Sequence, residues 1–212
     1  MSIIRKNIFQ KLSVGSKLIT MDEKPARHKI KHIFKKNSGD IVKIFEKNLM
    51  AVNGTLTFSS NKLSLCNELK NFYQKSQFKE ILTYETDIQK ILSEASIPYS
   101  SLPENMSHAE ASATGCEYLI ARLGTILVSS TQTKSRKIIC FPPAHIVIAP
   151  ISKLVYDLTD ALELLNKKYD QTNFPSMLSL ITGPSRTADI EKTLILGAHG
   201  PKNLFVFLYN DN

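Results

Sequence analysis

The sequence predicts an α/β protein built on a mixed, mainly parallel sheet flanked by helices. Three observations carry this. Strand-like and helix-like patterns alternate along most of the 212 residues, which implies βαβ units. MLSLIT at 177–182 and NLFVFLY at 203–209 read as strongly apolar strands. TILVSS, KIICF and HIVIA at 125–130, 137–141 and 145–149 follow one another over short connections, so part of the sheet should be antiparallel.

The elements follow in order. Residues 3–12 suit a short helix, with Ile4, Ile8 and Leu12 at helical spacing. Gly15, Pro25 and small polar residues make 13–26 a linker. A helix starts at Ser38 or Asp40, either of which can cap it. Its stripe is Ile41, Ile44, Phe45, Leu49 and Val52, and Gly54 stops it. TLTFSS at 55–60 is a strand, 61–74 a helix, EILTY at 80–84 a strand and 85–95 a helix. Pro98 and Pro103 mark a loop. A strand around 109–114 should lead into a short helix, CEYLIAR, ending at Gly124. DLTDALELLNKKYD is a helix with Asp157 or Thr159 as its cap.

Charge divides the chain. Residues 1–50 hold 12 Lys/Arg against 4 Asp/Glu, a balance of +8, while the remainder is neutral. A basic arm and linker at 1–37 therefore precedes an α/β domain at 38–212. The arm has no interleaved aromatics and no known nucleic-acid motif, which argues against nucleic-acid binding. No apolar run reaches the roughly 18 residues that a membrane span needs, and the N-terminus is too polar for a signal peptide. A cytoplasmic protein is expected. Cys66, Cys116 and Cys140 are far apart and show no CxxC spacing. They suit buried thiols better than a disulfide, zinc or iron–sulfur set. Cys116, near a predicted helix start, is the one to test for reactivity.

Chemistry concentrates at 181–202, ITGPSRTADIEKTLILGAHGPK. An apolar strand runs into Gly183–Pro184, then Ser185 and Thr187 as candidate N-caps, then Asp189 and Glu191 in a first turn. This reads as a strand–loop–helix start, where free N–H groups favour an anion. Arg186 opposes the dipole of such a helix, so it either pairs with Asp189 or holds an anion or carboxylate. Further on, Gly197 and Gly200 bracket His199. A hairpin-like turn explains both glycines; a presented acid–base histidine explains all three residues. His28 and His32 make a poor metal pair, and His108 stands alone. His145 suits a hydrogen-bonded structural role, or the lining of a pocket. No dinucleotide fingerprint, Walker loop, HExxH or GxSxG is present.

ITGPSRTADIEKTLILGAHGPKNLFVFL closely resembles the C-terminal signature of the LUD family, the lactate-utilisation protein C (YkgG-like) group. ATGCEYLIARLGTILV at 113–128, Arg136 with FPPAHIVI at 141–148, and the helix-and-glycine stretch from Phe45 to Gly54 resemble it too. The resemblance covers about 40–210 and leaves the basic arm poorly matched. It implies the NagB/RpiA/CoA transferase-like fold, shared by sugar-phosphate isomerases and CoA transferases. It also implies a role beside two partner proteins in oxidising L-lactate to pyruvate. The iron–sulfur clusters would belong to those partners, with no cofactor in this chain.

Ligand binding is expected at Gly183, Ser185, Arg186, Thr187, Gly124, Thr125, Gly197 and Gly200, and acid–base chemistry at His199 or Asp189. The ligand would be a small carboxylate or phosphate. The alternative function is a freestanding enzyme acting on an anionic substrate. One position departs from the family pattern: Arg122 stands where members usually carry glutamate, and Leu123 replaces a threonine. As the end of a helix, Arg122 would suit the dipole.

Overall fold

The computed structural model describes residues 39–102, 106, 108–170, 172–188, 194–197 and 199–211. The basic arm at 1–37, with His28 and His32, lies outside the described residues, as do Pro103 and Asp189. The described chain runs α1 (Ile41–Ala51), β1 (Thr55–Ser59), α2 (Lys62–Lys75), β2 (Ile81–Leu82), α3 (Thr86–Glu94), β3 (Tyr99–Ser100) and β4 (Ala111–Thr114). It continues with β5 (Tyr118–Ile120), β6 (Thr125–Ser129), α4 (Ser130–Thr133), β7 (Ala144–Pro150), β8 (Leu154–Val155) and α5 (Leu158–Lys168). It ends with β9 (Leu178–Ile181), β10 (Arg186–Ala188), β11 (Leu194–Leu196) and β12 (Asn203–Tyr209).

Six strands form an all-parallel sheet in the order β1-β12-β7-β4-β2-β3. Its strands alternate their side chains between two cores, as a period of two requires. Ala144, Ile146 and Ile148 of β7 join Phe207 of β12, and α2 and α3 cover that face through Leu65, Leu69, Ile88 and Leu92. Val147 and Ala149 join Val206 and Leu208 on the other face, beneath Phe45 and Leu49 of α1.

A second sheet covers the rest of that face, in the order β8-β5-β6-β9. Leu119, Ile126 and Val128 point inward to the shared core. Ile120 and Leu127 point outward to Ala161 and Leu165 of α5. The antiparallel part lies here: β6 pairs antiparallel with β5 and β9, while β7 is parallel within the large sheet.

Local signals hold where a stripe and a cap coincide. Asp40 accepts from Val42 N at 2.9 Å, and Asn61 from Ser64 N at 2.9 Å. Asp157 and Asp160 form a reciprocal capping box at α5.

Four expectations are corrected. CEYLIAR is not a helix; it is β5 followed by a 3-10 turn at Ala121–Leu123. Leu119 and Ile120 are both buried, one on each face of a covered sheet, so no alternation marks the strand. KIICF is not a strand; Arg136–Ile139 is a 3-10 turn that buries Ile138 and Ile139 together, before Pro142 and Pro143. GPSRTADIEK does not start a helix at 186–188; those residues are β10, paired antiparallel with β11. Tyr99–Ser100 is not loop but a short edge strand, with Thr83 N donating to Ser100 O at 2.9 Å.

Candidate functional site

The expected ligand residues fall into two adjoining groups. The first lies against the C-terminal half of α1. Asn48 Nδ2 donates to the carbonyls of Ala121 and Arg122 at 2.9 and 3.1 Å. Gly124 follows at φ +59°, and a Cβ there would run into the backbone of Asn48 and Leu49. Gly183, at φ +84°, leaves no room for a Cβ beside the Val52 carbonyl. Thr125 Oγ1 and Thr182 Oγ1 share a hydrogen bond of 2.8 Å.

Arg186 joins the same seam, where its Nη2 donates to Val52 O at 2.7 Å. Val52 is the C-cap of α1, so this cation sits at a helix C-terminus. The dipole there favours it, the reverse of the expected conflict at a helix N-terminus.

The second group forms a cleft at the amino ends of β7 and β12. Its volume is about 380 Å³. Cys140, Phe141 and Pro143 line one side; Gly197, His199, Gly200 and Lys202 line the other. The walls are tied by Lys202 N and Asn203 N, which donate to Pro143 O at 2.7 and 3.1 Å. Ser185 closes the base of the turn: its N donates to Pro201 O and its O accepts from Gly197 N, both at 2.8 Å. Gly197 takes φ +73° to make that return. His199 and Lys202 are exposed, and among the described residues no carboxylate lines the cleft. Thr187 is placed in β10.

The structure therefore brings His199, Gly197 and Gly200 together with Ser185. Gly124, Thr125, Gly183 and Arg186 gather at the neighbouring seam. Cys66 and Cys116 are buried as expected, which leaves Cys116 a poor candidate for reactivity, and Cys140 is not buried. Cys116 is fully buried, and burial pushes its thiol up to about 12. Cys140 is the exposed one, though partial burial raises its thiol as well. Arg122 ends no helix. Its Nε and Nη2 grip the two carboxylate oxygens of Asp157, the cap of α5, at 3.1 and 2.9 Å.

His145 is wholly buried on the α1 side of the large sheet. Thr114 Oγ1 donates to Gly115 O at 2.9 Å and lies 2.9 Å from His145 Nε2. Nε2 must then be the donor, which leaves Nδ1 as an acceptor with no partner among the described residues. Burial holds this imidazole down at about 4.

Sequence reading missed a cluster at the opposite end of the sheet. Glu85 follows β2 and stands at the N-cap of α3 without capping it. Its Oε2 accepts from Gly115 N at 3.0 Å, just beyond β4. Its Oε1 accepts from Gln132 Nε2 at 2.7 Å. Lys153 reaches the same region and donates to Cys116 O at 2.6 Å. The usable signal was a carboxylate directly after an apolar strand in a parallel sheet. Among the described residues, no group of three or more His, Cys, Asp or Glu could hold a metal ion. Nor is any helix among them long and apolar enough to cross a membrane.

Fold and geometry define an α/β protein with a parallel sheet, an antiparallel sheet layered on it, and a cleft bearing His199 and Lys202 at the amino edge. The LUD domain model matches residues 6–209, and the chain belongs to the LUD domain family. That match begins within the basic arm, further upstream than the resemblance reached.

A lactate utilization protein C from Macrococcus caseolyticus is 38% identical over 102 residues, 46% of this chain and 44% of that protein. One from Bacillus subtilis is 33% identical over 112 residues, 51% of this chain and 47% of that protein. The matched stretch thus spans about half the length of these curated relatives. The crystal structure of a DUF162 family protein from Deinococcus radiodurans superposes with a TM-score of 0.59 at 17% identity. It covers 80% of this chain and 96% of that one, a likeness of fold.

Proposed function

We propose that this protein acts in lactate utilisation as a subunit without a cluster, beside iron–sulfur partner proteins that oxidise L-lactate to pyruvate. Its own task is to bind a small carboxylate in the cleft of His199 and Lys202. The observation that carries the reading is the pairing of these two side chains in one cleft, with no carboxylate among its described lining residues. The names of the relatives support the lactate role. An anion in the cleft meets the Lys202 ammonium at its mouth, with His199 able to donate to a carboxylate oxygen.

Titrating the full chain with L-lactate and pyruvate tests the site. Lys202→Ala and His199→Ala should each weaken binding several-fold without changing the unfolding midpoint. Unaltered affinity in both variants removes the cleft from the reading. Pull-down from native cells tests the role: recovery of iron–sulfur proteins supports it. Turnover of an anionic substrate by the isolated chain would instead favour a freestanding enzyme.

A further inference from the structure

We propose that the crevice between the carboxyl ends of β2 and β4 is a second ligand site, built by Glu85 and Gly115 and occupied by the Gln132 amide in the absence of ligand. Its ligand is a small molecule carrying a hydroxyl beside an anionic group.

The topology places a divergence of connections at this point. After β2 the chain passes through α3 to β3, on the outer side of β2. After β4 it leaves for the antiparallel sheet and returns as β7, on the other side of β4. The two connections diverge, and in open parallel sheets ligands bind outside the carboxyl ends at such a divergence. The cleft of His199 lies at the amino ends, so the two sites are separate.

The side chains at the crevice are arranged at a cost. Glu85 occupies an N-cap position, where a side-chain cap would stabilise the helix, yet it caps nothing. It turns inward instead, to the Gly115 N–H and the Gln132 amide. Gly115 permits the approach; a Cβ there would stand 3.0 Å from Glu85 Oε2 and 3.4 Å from Gln132 Nε2. Burial raises the carboxyl above its usual range, against the pull of the hydrogen bonds from Gln132 and Gly115 and of Lys153 and Lys134. A carboxylate of raised proton affinity is a strong acceptor for a hydroxyl.

Gln132 shows what the ligand replaces. Its Nε2 is spent on Glu85, while its Oε1 is shut from solvent with no partner among the described residues. Such an orphaned acceptor is costly to bury. A hydroxyl that takes over as donor to Glu85 Oε1 releases Gln132 to turn and relieves that cost. Lys153, whose Nζ donates to Cys116 O at 2.6 Å beside Gly115, supplies the charge for the adjoining anionic group, with Lys134 adding to the field at Glu85.

The test is an NMR titration of the full isotope-labelled chain with L-lactate, propionate and glycerol. These probes carry both groups, the anion alone and the hydroxyl alone. L-lactate should shift the Gly115 amide and the Gln132 side-chain amide, with propionate and glycerol at least about tenfold weaker. Glu85→Gln should weaken lactate about tenfold, and Gln132→Ala should bind it at least as tightly as the parent chain. Equal responses to lactate and propionate overturn the proposal, and so does weaker binding in Gln132→Ala, even where Glu85→Gln fails to fold. Shifts confined to Gly197, His199 and Lys202 overturn it while upholding the cleft. Shifts confined to Gly115 and Gln132 uphold it and remove the cleft.

Discussion

Arg122 and Asp157 face each other as a fork and a carboxylate, joined by two hydrogen bonds of 3.1 and 2.9 Å. The pair fastens the turn after β5 to the first turn of α5. Their side chains are only 27% and 11% exposed, so the geometry is held and partly shielded. The positive charge of Arg122 is thus answered within the fold by a complementary carboxylate. Arg122→Glu should lower stability by about 2–3 kcal/mol, because it leaves Asp157 desolvated against a like charge. Adding Asp157→Asn should restore much of the loss, since asparagine still caps the helix. Urea midpoints of the three chains check this; an unchanged midpoint in the single variant refutes the assignment.

His145 makes stability depend on pH in a defined window. Its folded value, about 4, lies below the ordinary 6.5 because burial disfavours the charged ring. The unfolded chain therefore binds the extra proton first as pH falls. Stability from this group is complete above about 6.5 and declines towards 4, by a total on the order of 3 kcal/mol. His145→Gln should flatten the slope between pH 6.5 and 5, the range above most carboxylate titrations. Parallel slopes in the two chains would show that the ring does not titrate as stated.

Glu117 acts at lower pH. Burial alone would raise its carboxyl, but hydrogen bonds from Lys168 Nζ, Ser129 Oγ and Tyr169 Oη at 2.7, 2.6 and 2.8 Å hold it below the usual value. Its contribution is present above the unfolded value near 4.5 and is lost as pH falls through the folded one. At neutral pH Glu117→Gln should cost about 2 kcal/mol, discounted because Lys168 is half exposed. The gap between variant and parent should narrow under acid, and a gap that stays constant to pH 3 contradicts this.

Gly183→Ala meets two obstacles at once, a positive φ and the Val52 carbonyl. The seam between α1 and β10 must shift to admit the methyl, at a cost of about 2 kcal/mol or more. Exchange of the Asn53 and Gly54 amides should quicken, because the end of α1 loosens with it. Unaltered exchange there would mean that the seam is not held by this approach.

Native-state alkylation separates the thiols. Cys140 should react first, Cys66 and Cys116 only on unfolding, because the latter two are buried. Mass spectrometry of the alkylated native chain should find one modification, at Cys140. Bound lactate or pyruvate should slow it, as Cys140 lines the cleft. Early labelling of Cys116 would contradict the burial.

The sequence by itself determined the α/β class, the four long helices of the domain, and the strands at 144–150 and 203–209. In α1, α2 and α5 a cap and an apolar stripe agree, in α3 the stripe stands alone, and both signals are local. It also singled out the two glycine-rich loops and His199. Tertiary structure decided the rest, for a common physical reason. Leu119–Ile120 and Ile138–Ile139 are apolar pairs without a period, so only the surfaces covering them set strand or turn. Arg186 reads as a conflict until the chain brings it to the C-terminus of a helix some 134 residues away. Glu85 carries no motif at all. Its meaning comes from the ordering of β2 beside β4, which places Gly115 and Gln132 within hydrogen-bonding reach.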